Sequence, residues 1–242
     1  MAGELGPAAG GVHAGPGGTP RRHARRRRGR GRHGLTPSAR PRRWHRHDHA
    51  AHPGPLPRAR VTLVDLDPAL LALARASLGD RAVVLAADLA RPDWPGRLPH
   101  RDYDAVLTAN ALHWLPAERL TELYGELRDL LRPGGLFVNA DRMPDDALPT
   151  LTDRLTARAR ERRAARYAAG AALSWSDWWA RAGADPVLGP LVRRRHEIYP
   201  TGHSPEWNPP VSWHLGALTA AGFTEAGTLW RGGADAAVAA LR

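Results

Sequence analysis

Cysteine is absent from the 242-residue chain, which excludes disulfides, zinc–thiolate sites, a cysteine nucleophile and thiol redox chemistry. Long apolar runs are missing as well. Nothing approaches the roughly 20 residues needed to span a bilayer, and the N-terminus lacks the short apolar core of a secretory signal. The expectation is a soluble, cytoplasmic protein without a membrane partner. Lysine does not occur, since all 35 basic residues are arginine. Together with abundant alanine, glycine and proline, this points to a GC-rich coding sequence rather than to a function.

Acidic residues are scarce in one region only. Residues 1–60 hold 14 arginines against Glu4 and Asp48, a net +12, whereas the other 182 residues carry 21 arginines and 22 acids, a net −1. The overall +11 is therefore the property of one segment. Arg25–Arg28 and the interspersed histidines give that segment the composition of a nucleic-acid-binding arm, one of the readings open to it. Ser38 is its only serine, which argues against a transit peptide. Gly, Pro, Arg and His punctuate residues 1–58 too densely for a helix or strand to persist, so composition predicts disorder there. Nucleic acid remains an improbable partner for the rest of the chain, which has no such charge.

The texture changes at Val61-Thr-Leu-Val-Asp-Leu-Asp67, a short aliphatic run that reads as a buried strand ending in acids. Asp67 followed by Pro68 predicts a capped helix start, with the helix running over Ala69–Leu78. Ala82–Ala86 and Asp104–Ala109 are further strands, apolar on both faces as central parallel strands are. Leu120, Leu123, Leu127, Leu130 and Leu131 recur at helical spacing between Pro116 and Leu131, and Gly134-Gly135 is expected to stop that helix before a strand at Leu136–Ala140. This rhythm predicts a parallel sheet with right-handed crossovers. It breaks at about 142–210, where an arginine-rich helical stretch over Leu148–Ala172 and the cluster Trp175, Trp178 and Trp179 read as an insertion covering the sheet edge and the substrate. A helix at Val211–Ala221, a strand near Thr224–Trp230 and a run over Ala236–Leu241 close the chain, the last two joined at Gly232-Gly233 as an antiparallel hairpin.

Ligands of open parallel sheets bind beyond the carboxyl ends of the strands. Asp65 ends the first strand, where a carboxylate can accept both ribose hydroxyls of an adenosine. Asp88, with Leu89 beside it, follows the second and suits an adenine amino group. Asn110 follows the third, with Ala111-Leu112-His113-Trp114 turning over the site and His113 a possible base or orienting group. Each acid taken alone also fits a helix cap, and Asp67, just before Pro68, is best read that way.

The stretches Val61–Pro68, Ala87-Asp88, Tyr103–Trp114 and Leu130-Leu-Arg-Pro-Gly-Gly135 together are similar to successive motifs of class I S-adenosylmethionine-dependent methyltransferases, small-molecule members of the trans-aconitate type among them. The resemblance covers roughly residues 58–242. It implies a Rossmann-like α/β sheet of seven strands with the last antiparallel, S-adenosylmethionine as cofactor, and a small-molecule methyl acceptor. It also implies ribose contact at Asp65, adenine contact at Asp88 and a cofactor-facing Asn110; Leu66 and Leu89 join them as expected cofactor-binding residues and His113 as the catalytic candidate, with no metal expected. Arg142 and the arginines of the insertion would then neutralise an acidic acceptor. A nucleotide-binding oxidoreductase would share the first strand and its acid, but it leaves the Leu-Arg-Pro-Gly-Gly turn and the terminal hairpin unexplained.

One motif of that family is missing. Such enzymes open with a strand and a glycine-rich loop, because only glycine lets the backbone come close to the cofactor. Residues 39–57 hold neither. Read one base out of frame, codons permitted for Ser38–Arg46 spell Val-Leu-Asp-Leu-Gly-Gly-Gly-Thr-Gly. Those for His47–Pro57 spell Thr-Ile-Thr-Leu-Arg-Ile-Leu-Ala-Arg-Phe-Pro. The reading expected from this is that residues 1–58 are out of frame, that 59–242 form the methyltransferase domain, and that loss of the first strand impairs folding and cofactor affinity.

Overall fold

The computed structural model describes residues 59–199 and 206–242. The expectations for residues 1–58, whether disordered, arm-like or out of frame, lie outside the described residues.

The chain enters a five-residue strand, β1 (Val61–Asp65), and then α1 (Pro68–Leu78). Asp67 is its cap: the Oδ1 atom accepts from Ala69 N at 2.9 Å and Leu70 N at 3.2 Å, and Pro68 fills the first helical position. Its carboxylate thus satisfies N–H groups that the helix cannot. β2 (Ala82–Ala86) pairs with β1 in parallel, in the register Leu63 to Val84. β3 (Tyr103–Ala109) is followed by α2 (Ala117–Leu130) and β4 (Leu131–Arg142). Here the turn expected at Gly134-Gly135 is not what stops the helix. α2 ends at Leu130, and β4 already begins at Leu131, which pairs with Tyr103 before the register shifts to Ala105 with Leu136. The Pro-Gly-Gly segment is the irregularity inside the strand. Gly134 has φ of +73°, and a Cβ on Gly135 would lie 2.8 Å from the Arg132 carbonyl oxygen, so both positions require glycine.

The insertion consists of α3 (Pro149–Ala168), α4 (Trp175–Ala184) and α5 (Gly189–Ile198). It was expected over the sheet edge. Its α4–α5 pair instead packs on α1, where Ala69, Ala182 and Val192 form a small core with Trp178, Trp179, Leu188 and Leu191 around it. α6 (Val211–Ala220), β5 (Glu225–Gly232) and β6 (Asp235–Leu241) complete the fold. β6 lies antiparallel between β4 and β5.

The sheet expected to contain seven strands contains six among the described residues, and these form two sheets: β1–β2, and β3–β4–β6–β5. The larger sheet is covered on one face by α2 and α6. Phe137 and Asn139 of β4 and Ala236, Val238 and Ala240 of β6 are buried there with Leu123, Leu127, Leu130, Leu218 and Phe223. On its other face Ala105, Leu107 and Ala109 of β3 are exposed, Leu107 by 73%. At the junction of the two sheets, the Tyr103 hydroxyl on β3 donates to Thr62 Oγ1 on β1 at 3.3 Å. A side chain spans the distance there, where neighbouring strands would exchange backbone hydrogen bonds at a spacing of about 4.8 Å.

Candidate functional site

Two polar clusters stand at the carboxyl ends of the strands, one on each sheet. On the smaller sheet, Asp65 Oδ1 accepts from Leu66 N at 2.7 Å and Asp67 N at 2.9 Å. These bonds fix the turn in which Leu66 sits and aim the carboxyl group beyond the strand. Asp88 ends β2 in the same manner, its Oδ1 accepting from Ala90 N at 2.9 Å. Tyr199, at the end of α5, reaches into the field of both acids. Burial first, then the charges of Asp65 and Asp67 and that of Asp88, push its phenol up to about 12, against the opposing pull of Arg195. A neutral hydroxyl on an aromatic ring therefore belongs to this cluster, which sequence reading did not anticipate because Tyr199 lies in the irregular insertion.

Arg195 explains how α5 comes to be there. Its Nε donates to Asp67 Oδ2 at 2.6 Å in a buried ion pair, and its guanidinium lies 4.2 Å from the Trp179 ring centroid and 5.4 Å from that of Tyr199. Asp67 is thus both helix cap and anchor for the insertion. The loop after β2 has a comparable clamp from the other side. Arg119 donates to the Leu89 carbonyl at 2.8 Å and binds Glu126 through two bonds of 2.8 and 2.7 Å, and Glu126 also accepts from Trp94 Nε1 at 2.6 Å. The side chain of Leu89 packs against the main core. Nothing in the sequence marked Arg119, one arginine among many, as the residue holding that loop.

On the larger sheet, Asn110 leaves β3 with φ of +50°, a left-handed conformation that Asn tolerates better than most residues. Its N–H donates to the Ala140 carbonyl at 2.9 Å, tying the ends of β3 and β4 together, and its side chain is exposed. His113 follows in a 3₁₀ turn over Leu112–Trp114. Its Nδ1 lies 2.7 Å from Asp141 Oδ1, the two side chains being 11% and 3% exposed. Asp141 ends β4, so the strand-end rule that selected Asp65, Asp88 and Asn110 applies to it equally. Among the described residues, Oδ2 of Asp141 is buried without a hydrogen-bond partner, and Asn139 is fully buried beside it, its side chain acting on the Tyr124 hydroxyl. Buried groups in that state are rare and mark a functional site or a strained one. Behind them, the Tyr124 hydroxyl lies 2.6 Å from His214 Nδ1. Burial pushes the Tyr124 phenol up, and the Asp141 charge adds to that. Burial also pushes His214 down to about 4 against the pull of Asp141.

Arg142, expected at the mouth of the site, pairs with Glu206 at 2.6 Å. It lines an open cleft of about 170 Å³ with Arg160, Arg163 and the β5–β6 hairpin from Gly232 to Asp235. Trp175 and Trp178 stack, and Trp179 meets both edge-to-face, with centroids 4.8 to 6.4 Å apart. Among the described residues no cluster of side chains could hold a metal ion, and no helix is long and apolar enough to cross a membrane.

Paired carboxylates beyond parallel strands, an aromatic hydroxyl beside them and a His–Asp pair on the next strands stand where open α/β sheets bind their ligands. Residues 48–135 match a family model described as a methyltransferase domain. This agrees with the motif resemblance over that segment. No curated protein matches the chain. Among solved structures it is similar to the S-adenosylmethionine-dependent methyltransferase SibL (21% identity, TM-score 0.45, 77% of this chain and 44% of that one). It is also similar to human N-acetylserotonin methyltransferase (15%, 0.45, 77% and 41%) and to an O-methyltransferase family protein of Burkholderia thailandensis (16%, 0.43, 81% and 54%). The chain spans about half, or less, of the length of each.

Proposed function

We propose that the chain is a methyltransferase that moves a methyl group from S-adenosylmethionine to a small-molecule acceptor, with residues 59–242 as the catalytic domain. The observation that carries this reading is the set of polar groups at successive strand ends, within a segment that matches a methyltransferase domain. The adenosine half of the cofactor fits the residues present. Asp65 would take the ribose hydroxyls, since its carboxyl group is already oriented by two backbone N–H bonds. Asp88 would take the adenine amino group, with Leu66 and Leu89 along the base and Asn110 at the cofactor's edge. When bound, S-adenosylmethionine supplies an electrophilic methyl group on sulfur.

The protein's own part is to hold, orient and deprotonate. With Asp141 accepting the proton on Nδ1 of His113, Nε2 is left as the acceptor that takes a proton from an acceptor hydroxyl or amine. A carboxylate nucleophile would need no base, and the arginine cleft at Arg142 would then hold its charge. Holding acceptor and methyl group in line supplies most of the rate.

The test is calorimetric titration with S-adenosylmethionine and with NAD, on the full chain carrying the shifted-frame residues at 38–57, followed by transfer of labelled methyl to a panel of small acids, alcohols and amines. S-adenosylmethionine is expected to bind at least about 10-fold more tightly than NAD, a difference of about 1.4 kcal/mol. Tighter binding of NAD would turn the assignment toward an oxidoreductase.

A further inference from the structure

Tyr124, Asn139 and His214 are buried polar residues that the proposed reaction does not use. They meet on one face of β4. Phe137, Asn139 and Asp141 alternate along that strand and turn to the same side, the one covered by α2 and α6. Tyr124 comes to them from α2 and His214 from α6, both almost completely buried. The Tyr124 ring meets Phe137 edge-on at 5.6 Å, as a core aromatic does. Its hydroxyl needs a partner there and finds His214 Nδ1 at 2.6 Å. Apolar residues of similar size would fill this layer without the desolvation that polar groups suffer, so a run of polar side chains behind the His113–Asp141 pair points to a use.

The direction of the bonds follows from the chemistry of the three groups. Burial keeps His214 neutral down to about pH 4, so one of its ring nitrogens is a bare acceptor. Burial pushes the Tyr124 phenol up, and Asn139 works against that rise, as a bond donated to the phenol oxygen does. The proton of the Tyr124 hydroxyl is then directed to His214 Nδ1. Asn139 thus gives an N–H to Tyr124, Tyr124 gives its O–H to His214, and neither donor turns to the carboxylate. Asp141 is left with the His113 Nδ1 contact at 2.7 Å and the Arg142 backbone N–H at 2.8 Å, both on Oδ1. Its Oδ2 is buried without a partner among the described residues, and the Arg142 guanidinium faces Glu206 instead. The other neighbours of His113 are the Trp114 ring at 4.7 Å and the Trp207 N–H, which donates to the His113 carbonyl at 2.9 Å. Neither carries charge.

We propose that Tyr124, Asn139 and His214 are positioning residues for the His113–Asp141 pair, which direct their donors to one another and leave the buried carboxylate to be balanced by His113. A buried carboxylate with one oxygen unpaired is poorly stabilised. A proton taken up on His113 puts a cation beside it, and no second cation among the described residues competes for that place. The three residues act through Asp141 and touch no reacting atom. The proposal rests on the methyltransferase reading for the reaction that His113 serves, but its test does not need that reaction.

Nitrogen-15 spectra of the histidine rings test it, on the full chain with labelled histidine, the two signals being assigned by their loss in His113→Gln and in His214→Gln. His214 should show a bare, hydrogen-bonded Nδ1 and a protonated Nε2. Tyr124→Phe removes the hydroxyl and frees the Asn139 amide, two residues from Asp141 on the same face of β4, to donate to Oδ2. The pH midpoint of His113 should then fall by about one unit, the size of one charge-assisted bond. Asn139→Leu has no amide to release, so the midpoint should hold in that variant and be restored in Tyr124→Phe/Asn139→Leu. A merely structural role gives no such rescue. This pattern without any methyl transfer would uphold the positioning role and remove the functional reading. A protonated Nδ1 on His214, an unmoved midpoint in Tyr124→Phe, or a fall that persists in the double variant would overturn the positioning role.

Discussion

Asp65 and Asp67 are two residues apart and do different work, and substitution separates them. Asp65 accepts two backbone N–H bonds within its own turn, so Asp65→Ala in the frame-restored chain should leave the melting temperature within a few degrees while weakening S-adenosylmethionine by about 10- to 100-fold, the loss expected for charge-assisted bonds. Asp67 caps α1 and pairs with buried Arg195, so Asp67→Ala should unfold the protein earlier, because a buried arginine is left without its partner at a cost of about 3 kcal/mol or more. Calorimetry and thermal melts on both variants check this. His113→Gln and Asp141→Asn should each lower methyl transfer to an alcohol or amine by about 100-fold or more with cofactor affinity unchanged. Equal loss of binding would show that the pair is structural. Asp65, Asp88 and Asn110 were legible because strand ends are legible. Asp141, directly after the strand read at Leu136–Ala140, obeys the same rule and was passed over. Arg119, Arg195 and Tyr199 were not legible at all: Arg119 reaches the Leu89 carbonyl 30 residues away and Arg195 reaches Asp67 128 residues away, and the acids that act on Tyr199 are as remote, so no local pattern encodes their roles.

Helices and strands followed the periodicity of the chain closely where apolar residues repeat, as in α1, α2 and the β5–β6 hairpin. The misplaced boundary at Leu131 has a physical cause: the Pro-Gly-Gly segment that looks like a stop is a bulge held by β3. The insertion was legible as helical, but its partner was not, because an arginine-rich stretch carries little apolar pattern to say which surface it covers. The α2–α6 layer makes a prediction about acid. His214 is buried against Tyr124, with its pKa lowered to about 4 from 6.5. Unfolded chains take up a proton there near pH 6.5 and the folded one does not until about pH 4, so stability falls as pH drops through that window, by at most about 3 kcal/mol. Melts at successive pH values should show this decline, and His214→Gln should flatten it. An unchanged slope would mean that His214 is protonated in the fold.

The whole molecule was foreseen as one seven-stranded sheet and is found, among the described residues, as a two-stranded and a four-stranded piece. The directions of the strands were readable, because short apolar strands alternating with helices allow few topologies. Function at this scale depends on whether the two polar clusters, on either side of the break between the pieces, are brought into one site. The most direct test is a calorimetric titration of S-adenosylmethionine into the unaltered chain and into the chain with residues 38–57 replaced by the shifted-frame sequence. The account predicts micromolar binding for the second and at least about 10-fold weaker binding for the first; equal affinities, or no binding by either, would contradict it.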